Sequence, residues 1–112
     1  KQGSCVSLPC PFLDRNHMMI DGPTEEVMSL EPLADKWAAF GWHVREVDGH
    51  DLRQLSEAVE FARTYTAGPV MVLCNTVKGK GVDFMENDPA WHYGGLSKEL
   101  VERAKQSVER EG

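Results

Sequence analysis

The run that decides the fold is Val70-Met71-Val72-Leu73-Cys74, which Gly68-Pro69 precedes and Asn75-Thr76-Val77-Lys78-Gly79-Lys80-Gly81 follows. A continuous apolar run without alternation is typical of a strand that is buried on both faces, as strands of parallel sheets are. Helical patterns on both sides of the run supply the elements that would cover those faces. The sequence therefore predicts an α/β fold, built as a partial three-layer parallel sheet with flanking helices.

A helix and a short strand are predicted ahead of the central run. Residues 32–40 have apolar side chains at helical spacing, and Gly41 offers a stop. A short strand follows over residues 43–47, and a turn at Asp48 ends it. Such an alternation of helix and strand is typical of a parallel sheet.

Two longer helices flank the central strand. The first spans about residues 52–65 and begins at Asp51, which with Gln54 resembles a capping box. Its predicted inner face consists of Leu52, Leu55, Val59 and Ala62. The last helix spans about residues 98–110, with Ser97 as its cap. Its predicted inner face consists of Leu100, Val101, Ala104 and Val108.

The first thirty residues are less regular. We treat residues 1–13 as an atypical N-terminal segment, because Pro9 and Pro11 remove two backbone donors and a central strand is not expected there. An edge strand ending near Asp14 would still draw on the apolar residues Val6, Leu8, Phe12 and Leu13. Residues 14–30 are predicted to be a loop. The turn chemistry within it is Asp21-Gly22-Pro23-Thr24.

Bulk composition argues against several classes of function. Apolar residues make up 41% of the chain and charged residues 27%, as in soluble globular proteins. The net charge of −6 argues against nucleic acid or an anionic membrane as a partner. No apolar run approaches the ~20 residues of a membrane span. Cys5, Cys10 and Cys74 are odd in number and fit no zinc spacing, so we expect reduced thiols in a cytoplasmic protein.

Polar candidate residues follow the predicted strand ends, where α/β sheets bind their ligands. We expect the loop after Asp14, the turn at Asp48 and the long loop over residues 78–95 to share that edge. In the first loop, the Asn16 side-chain oxygen and the Met18 carbonyl are hard oxygen ligands of the kind that Mg²⁺ prefers. The alternative is a polar turn after a strand, since Asn and Asp are good turn residues.

The long loop carries two further candidates. Lys78 stands next to glycines that allow a phosphate to approach closely, although the spacing is not that of a Walker loop, and the alternative is a basic turn. His92 stands among aromatic residues and glycines and can donate to a phosphate or act as acid or base. Its alternative is a packed histidine beside Trp91. The other histidines, which form no metal cluster by spacing, are interpreted as surface or turn residues; they are His17, His43 and His50.

Taken together, these segments resemble transketolase. The matching stretches are Ile20-Asp21-Gly22-Pro23-Thr24-Glu25-Glu26-Val27, Glu31-Pro32-Leu33-Ala34-Asp35-Lys36-Trp37, Glu46-Val47-Asp48-Gly49-His50-Asp51, Asn75-Thr76-Val77-Lys78-Gly79-Lys80-Gly81-Val82 and Phe84-Met85-Glu86-Asn87-Asp88-Pro89-Ala90-Trp91-His92. The last stretch is the most specific, and it resembles the amino-terminal subunit of transketolases whose gene is split in two. The resemblance identifies residues 14–112 as the C-terminal part of the transketolase diphosphate-binding domain.

The resemblance implies a transferase that moves a two-carbon ketol unit between sugar phosphates, with thiamine diphosphate and Mg²⁺ as cofactors. By the same resemblance, Asn16 and the Met18 carbonyl bind the metal, Ile20 lies near the cofactor, and Lys78 lies near its diphosphate. His92 matches an active-site histidine near the diphosphate and the substrate, and is the catalytic candidate.

Two departures from the family bear on what the chain is expected to do alone. No Gly-Asp-Gly motif, whose aspartate is another metal ligand in the family, precedes Asn16, and the pyrimidine-binding domain is missing. We therefore expect a fragment that is inactive by itself and acts with the C-terminal transketolase subunit or the missing domains in a homo- or hetero-oligomer. The alternatives are an enzyme like 1-deoxyxylulose-5-phosphate synthase, a non-catalytic relic or oligomerisation module, and a nucleotide-binding α/β module. The absence of GxGxxG and Walker motifs argues against the last of these.

Overall fold

The computed structural model describes residues 9–111, so Cys5, Val6 and Leu8 lie outside the described part of the chain. In chain order its elements are β1 (Phe12–Arg15), β2 (Met18–Met19), β3 (Gly22–Pro23), α1 (Thr24–Val27), α2 (Leu33–Ala39), β4 (His43–Asp48), α3 (Leu52–Thr64), β5 (Val70–Asn75), a 3₁₀ turn (Pro89–His92) and α4 (Lys98–Glu111). The predicted order of the main helices and strands is confirmed. The prediction of a plain loop over residues 14–30 is wrong, because that stretch also contains a hairpin and a short helix.

These elements form two compact units that interleave along the chain. The sheet unit comprises residues 9–15 and 31–75, and the loop unit comprises residues 16–30 and 76–111. None of the helices within residues 9–111 has the length and apolar composition that crossing a membrane requires. The predicted division of the chain into residues 1–13 and 14–112 falls inside strand β1. As a domain boundary it stays a prediction.

The sheet unit is built on the apolar run Val70–Cys74. Strand β5 lies between β1 and β4, and both pair with it in parallel. All five residues Val70–Cys74 are buried, and Val72 is 0% exposed. Because β5 has a strand on either side and buried side chains on both faces, it is the centre of the described sheet.

Helices lie on both faces of this sheet. Side chains of α3 pack on one face, where the buried cluster consists of Val47, Ala58, Val70, Val72 and Cys74. The opposite face includes Leu73 and Glu46, which line a cavity of about 250 Å³ together with the start of α2. Side chains alternate between the two faces of a strand, so the two helices are on opposite sides. The predicted α/β layer architecture is confirmed.

The inner face of α3 differs from the prediction. Leu52 is 79% exposed and Val59 is 41% exposed. The predicted core contacts of Leu55 and Ala62 are confirmed, and Ala58, Phe61 and Tyr65 contact the core as well. Helical side chains point back toward the N-terminus, so a residue in the first turn, such as Leu52, is directed past the end of the helix.

His43 is not the surface or turn residue that was predicted. It opens β4, and its ring lies 4.9 Å from the Phe61 ring and 4.7 Å from the Tyr65 ring, measured between centroids. Arg45, two residues further on the same strand face, lies 4.6 Å over Phe61. The aromatic residues that end α3 therefore cover this part of β4.

The two prolines near the start of the chain are accommodated at the sheet edge. The carbonyls of Pro9 and Pro11 accept hydrogen bonds from the N–H groups of Val70 and Val72, at 3.2 and 3.0 Å. A proline lacks only the donor, so its carbonyl can still join a ladder. In the described sheet β1 is an edge strand, and the expectation that it would not be central is confirmed.

Candidate functional site

The carboxyl ends of the three parallel strands lie in register. Arg15 of β1 and Asp48 of β4 both align with Asn75 of β5. The N–H of Gly49 donates to the Asn75 carbonyl at 2.8 Å and closes the turn after β4. The chain leaves this edge after Arg15 and after Asn75, and these exits lead into the two segments that carry the predicted site residues.

An ion pair between a buried arginine and a half-exposed glutamate fixes the end of β1. Arg15 is 3% exposed and donates from Nε and Nη2 to Glu31 Oε1, at 3.2 and 2.8 Å. The other carboxylate oxygen of Glu31 accepts from the Leu33 N–H at 2.9 Å. Charge-assisted bonds of this kind hold Arg15 firmly, and Asn16 follows it directly in the chain.

A tight hairpin carries the predicted metal ligands. Strands β2 and β3 pair antiparallel with Met18 opposite Pro23, and the Thr24 N–H donates to the His17 carbonyl at 2.9 Å. In an antiparallel hairpin, hydrogen-bonded and non-hydrogen-bonded residue pairs alternate. Because His17 and Thr24 form a hydrogen-bonded pair, Met18 and Pro23 form a non-hydrogen-bonded one. The backbone N–H and C=O of Met18 therefore point away from the partner strand. The Met18 N–H accordingly donates to Asn16 Oδ1 at 2.9 Å.

The same geometry places the two predicted metal ligands on one side of the hairpin. In a strand, the N–H and C=O of one residue point the same way, so the Met18 carbonyl faces the side on which Asn16 lies. His17 between them has a left-handed backbone, with φ of 60°. This conformation is uncommon outside glycine and is found mainly in turns and at functional positions.

The donor set of this hairpin is small. Asn16 and Met18 offer two neutral oxygens, the type of ligand that Mg²⁺ accepts. Within residues 9–111, no group of three His, Cys, Asp or Glu side chains is placed to hold a metal ion. A cation at this hairpin therefore fits only where other oxygens, such as those of a diphosphate, complete its coordination.

The segment after β5 folds into a compact loop that depends on Gly79. Its φ is +75°, and a Cβ at that position would lie 2.6 Å from the Met85 carbonyl oxygen. The Asn87 N–H donates to the Lys78 carbonyl at 2.9 Å and closes the loop. Gly81 donates from its N–H to Glu86 Oε1 at 3.0 Å. The glycines thus let the backbone fold closely on itself.

Lys78 fastens the beginning of this loop to its end. Its Nζ donates to the Trp91 carbonyl at 2.9 Å. The Trp91 ring meets Phe84 edge-to-face, with centroids 5.4 Å apart. Lys78 was predicted to lie near a diphosphate, and its observed partner is the backbone immediately before His92.

Helix α4 supports the loop through polar contacts. Arg103 lies 4.6 Å over the Phe84 ring, and the Asp83 N–H donates to the buried Ser107 Oγ at 2.9 Å. Arg110 pairs with the Asp83 carboxylate at 3.0 Å. Val108, which was predicted to face inward, is 53% exposed, and that prediction is wrong because the contacts are made by the neighbouring polar face.

His92 lies at the end of the 3₁₀ turn and is exposed. Asp88 caps the turn by accepting from the Ala90 N–H at 2.9 Å. The aromatic contact of Trp91 is with Phe84 and that of His92 is with Tyr93, so the alternative of a histidine packed beside Trp91 is not observed. The imidazole is therefore open to a ligand.

The loop unit brings His92 and Ile20 to one pocket of about 280 Å³. The remaining lining residues are Asp21, Pro89, Ala90 and Tyr93. Asn16 and Met18 lie on the hairpin segment that carries Ile20. Lys78 donates a hydrogen bond to the carbonyl of Trp91, the residue before His92. Asp21 and Tyr93 were not predicted as pocket residues, although each is the chain neighbour of a predicted one.

Cys10 and Cys74 do not belong to this site. Cys74 is buried in the sheet core, Cys10 packs against it, and neither forms a disulfide. Burial raises the pKa of both thiols, and the Asp14 carboxylate raises that of Cys74 further. Both therefore stay protonated at neutral pH and are poor nucleophiles.

Comparison with known proteins places these features in a family. Residues 8–111 match the family model described as transketolase, thiamine diphosphate binding domain. The chain is 48% identical over 101 residues to a 6-deoxy-6-sulfo-D-fructose transketolase subunit from Clostridium sp. strain MSTE9, covering 90% of this chain and 37% of that protein. It is 40% identical over 97 residues to an apulose-4-phosphate transketolase subunit from Phocaeicola vulgatus, covering 87% and 34%. The chain thus spans about a third of the length of these relatives.

Solved structures show the same fold. Transketolase from Campylobacter jejuni superposes with a TM-score of 0.81 at 24% identity, over 90% of this chain and 16% of that one. A Pichia stipitis transketolase in complex with sedoheptulose 7-phosphate gives a TM-score of 0.79 at 26% identity, over 90% and 15%.

Proposed function

The chain belongs to the transketolase family, as part of its thiamine diphosphate-binding domain, and we propose that it serves in a transketolase that transfers a two-carbon ketol unit between sugar phosphates. The observation that carries this proposal is the composition of the loop unit. It joins a hairpin that carries the Asn16 side-chain oxygen and the Met18 carbonyl to a pocket that contains Ile20 and His92. A site of this kind suits a ligand that has both a metal-bound diphosphate and an apolar part.

Asn16 and Met18 are proposed to hold Mg²⁺ through the side-chain oxygen and the main-chain carbonyl. Their oxygens lie on one side of the hairpin, and the metal's remaining positions suit diphosphate oxygens and water. When bound, thiamine diphosphate supplies the nucleophilic carbon of the reaction. Ile20, whose side chain is 56% exposed at the pocket, offers an apolar contact to the cofactor.

His92 is proposed as the catalytic residue. Its exposed imidazole can donate a hydrogen bond to a diphosphate or substrate oxygen and can carry a proton to or from the substrate. Lys78 holds the backbone before it. An ammonium group has three donors, so Lys78 can bond Trp91 and still direct a proton to a phosphate oxygen.

The partners are proposed from the relatives. Both relatives described above are named as transketolase subunits, and their names differ in the sugar, one a sulfonated fructose and the other apulose 4-phosphate. We propose that this chain likewise works with a C-terminal transketolase subunit in a homo- or hetero-oligomer, on anionic sugars, in the cytoplasm. We use the name assembled enzyme for this chain joined to the segments that its longer relatives carry in addition, and combined with the partner subunit.

The test is a calorimetric titration of thiamine diphosphate with Mg²⁺. We expect binding by the assembled enzyme and none by the chain alone, because the chain supplies only part of the donor set. Asn16→Ala should weaken Mg²⁺-dependent binding at least about tenfold, the lower range for disturbing a metal site. Asn16→Asp keeps an oxygen for both the metal and the Met18 N–H, and should retain binding. Gln106→Ala, which removes an exposed amide on α4, is the matched control.

Each result has a defined meaning. Near-normal affinity in Asn16→Ala would contradict the metal assignment. Absence of binding in a mixture that gel filtration shows to be assembled would favour a non-catalytic relic. Binding by the chain alone would show that the missing aspartate of the family motif is dispensable.

A further inference from the structure

Tyr93 is the large exposed side chain beside His92. The residue is 78% exposed, although its ring meets the His92 ring edge-to-face, with centroids 5.7 Å apart and planes at 79°. Both rings line the same pocket. A tyrosine at the rim of a pocket presents an apolar ring and a hydroxyl donor to a ligand that enters.

The backbone around Tyr93 shows that its position does not depend on packing. The residue is extended, with φ of −153° and ψ of 157°. Within the described chain, a Cβ added at Gly94 or Gly95 would meet nothing within 4 Å. Because so little surrounds this segment, replacement of the Tyr93 side chain should leave the fold intact.

The pocket has the chemistry of a sugar site. Its apolar lining comes from Ile20, Pro89 and Ala90, and its polar lining from Asp21, His92 and Tyr93. A sugar carries C–H groups and hydroxyl groups on the same small frame, so it can use both kinds of surface. The volume of about 280 Å³ lies just below the range of about 300–1,000 Å³ for ligand pockets, so the pocket suits a small ligand such as one sugar phosphate.

We propose that Tyr93 is a specificity-determining residue that contacts the sugar phosphate at the mouth of the His92 pocket. Its hydroxyl donates a hydrogen bond to a phosphate oxygen of the substrate, beyond the two transferred carbons, while His92 serves the reacting end. This inference rests on the proposed function, because it requires a ketol donor in that pocket. Tyr93 would then distinguish substrates by the part of the sugar phosphate that lies beyond the two transferred carbons, and not by the transferred unit itself.

The test compares two donors in the assembled enzyme. One is the ketose phosphate, chosen from a panel, on which wild type has its highest kcat/KM. The other is 3-hydroxypyruvate, which carries the two-carbon ketol unit without a sugar tail. We expect Tyr93→Phe to lower kcat/KM for the ketose phosphate about tenfold, the loss for a hydrogen bond to a charged group. The value for 3-hydroxypyruvate should change less than about twofold.

Two controls make the result decisive. Tyr65→Phe removes a hydroxyl from the sheet unit and should leave the ratio of the two kcat/KM values unchanged. The melting temperature of Tyr93→Phe should equal that of wild type, since the side chain is exposed. A ratio in Tyr93→Phe within about twofold of wild type overturns the proposal. If wild-type assembled enzyme instead fails with every donor, the proposed function is what fails.

Discussion

Replacing Gly79 by alanine should destabilise the loop that carries His92. Two costs add at this position. An L-residue in the left-handed region, here φ +75°, costs about 1–2 kcal/mol. The new Cβ would also lie 2.6 Å from the Met85 carbonyl oxygen, 2.8 Å from its carbon and 2.9 Å from its Cβ. Overpacking of this kind costs a further 1–3 kcal/mol or so, because two of these atoms are backbone and cannot rotate away.

Gly41→Ala is the matched control. Gly41 has φ of +86°, and within the described chain a Cβ there would meet nothing within 4 Å. Gly41→Ala has the same conformational cost as Gly79→Ala but no steric cost. Both variants also gain equally from a less flexible unfolded chain. The two variants should therefore differ by about 1–3 kcal/mol, with Gly79→Ala the less stable.

The assay is thermal unfolding of both variants, followed by hydrogen exchange of the Asn87 amide. For a domain of this size, each kcal/mol lowers the melting temperature by about 4–8 °C, so a gap of at least about 4 °C is expected. The Asn87 N–H, which closes the loop on the Lys78 carbonyl, should exchange faster in Gly79→Ala. Equal melting temperatures and unchanged exchange would show that the loop moves aside freely, and would refute the steric argument.

Three further predictions concern a catalytic residue, a helix cap and a buried thiol. In the assembled enzyme, His92→Ala should lower kcat at least about a hundredfold, as loss of an acid–base group does, with the melting temperature unchanged; a mainly thermal effect would mean a packing role. Asp51→Ala should cost about 1 kcal/mol by removing the N-cap of α3, which accepts from Arg53 and Gln54, whereas Asp51→Asn should cost less. Hydrogen bonds from Gln54 lower the Asp51 pKa, so its stabilisation is present at neutral pH and is lost as the pH falls through that lowered value; urea unfolding across this range should show the loss in wild type and not in Asp51→Asn. Burial raises the Cys74 pKa, so alkylation followed by mass spectrometry should proceed only as fast as unfolding, and modification at the rate of a free thiol would contradict its placement in the core.

Local signals were sufficient for the elements of the sheet. The run Val70–Cys74 became the central buried strand because a sequence that is apolar on both faces has no other stable place in an α/β protein. Asp51 and Ser97 marked helix starts because a capping side chain bonds N–H groups only two or three residues away. Such interactions are complete within one segment, so the sequence alone determines them.

The residue types at the site were also readable from the sequence. Asn16, Met18, Ile20 and His92 were singled out by their chemistry and by resemblance to the family. Family membership is confirmed by the match over residues 8–111. The roles of the individual residues stay predictions.

Only the tertiary structure decided which side chains meet. Leu52 and Phe61 are both apolar residues of α3, yet the sheet beneath the helix covers one and leaves the other exposed. Lys78 bonds Trp91, and Ile20 shares a pocket with the distant His92, although nothing in either segment encodes the other. These outcomes depend on contacts across many residues of sequence, which form when the loop closes around Gly79 and α4 anchors Asp83 and Phe84. The sequence by itself therefore determined the main helices and strands and the residue types at the site, and three-dimensional packing decided their neighbours.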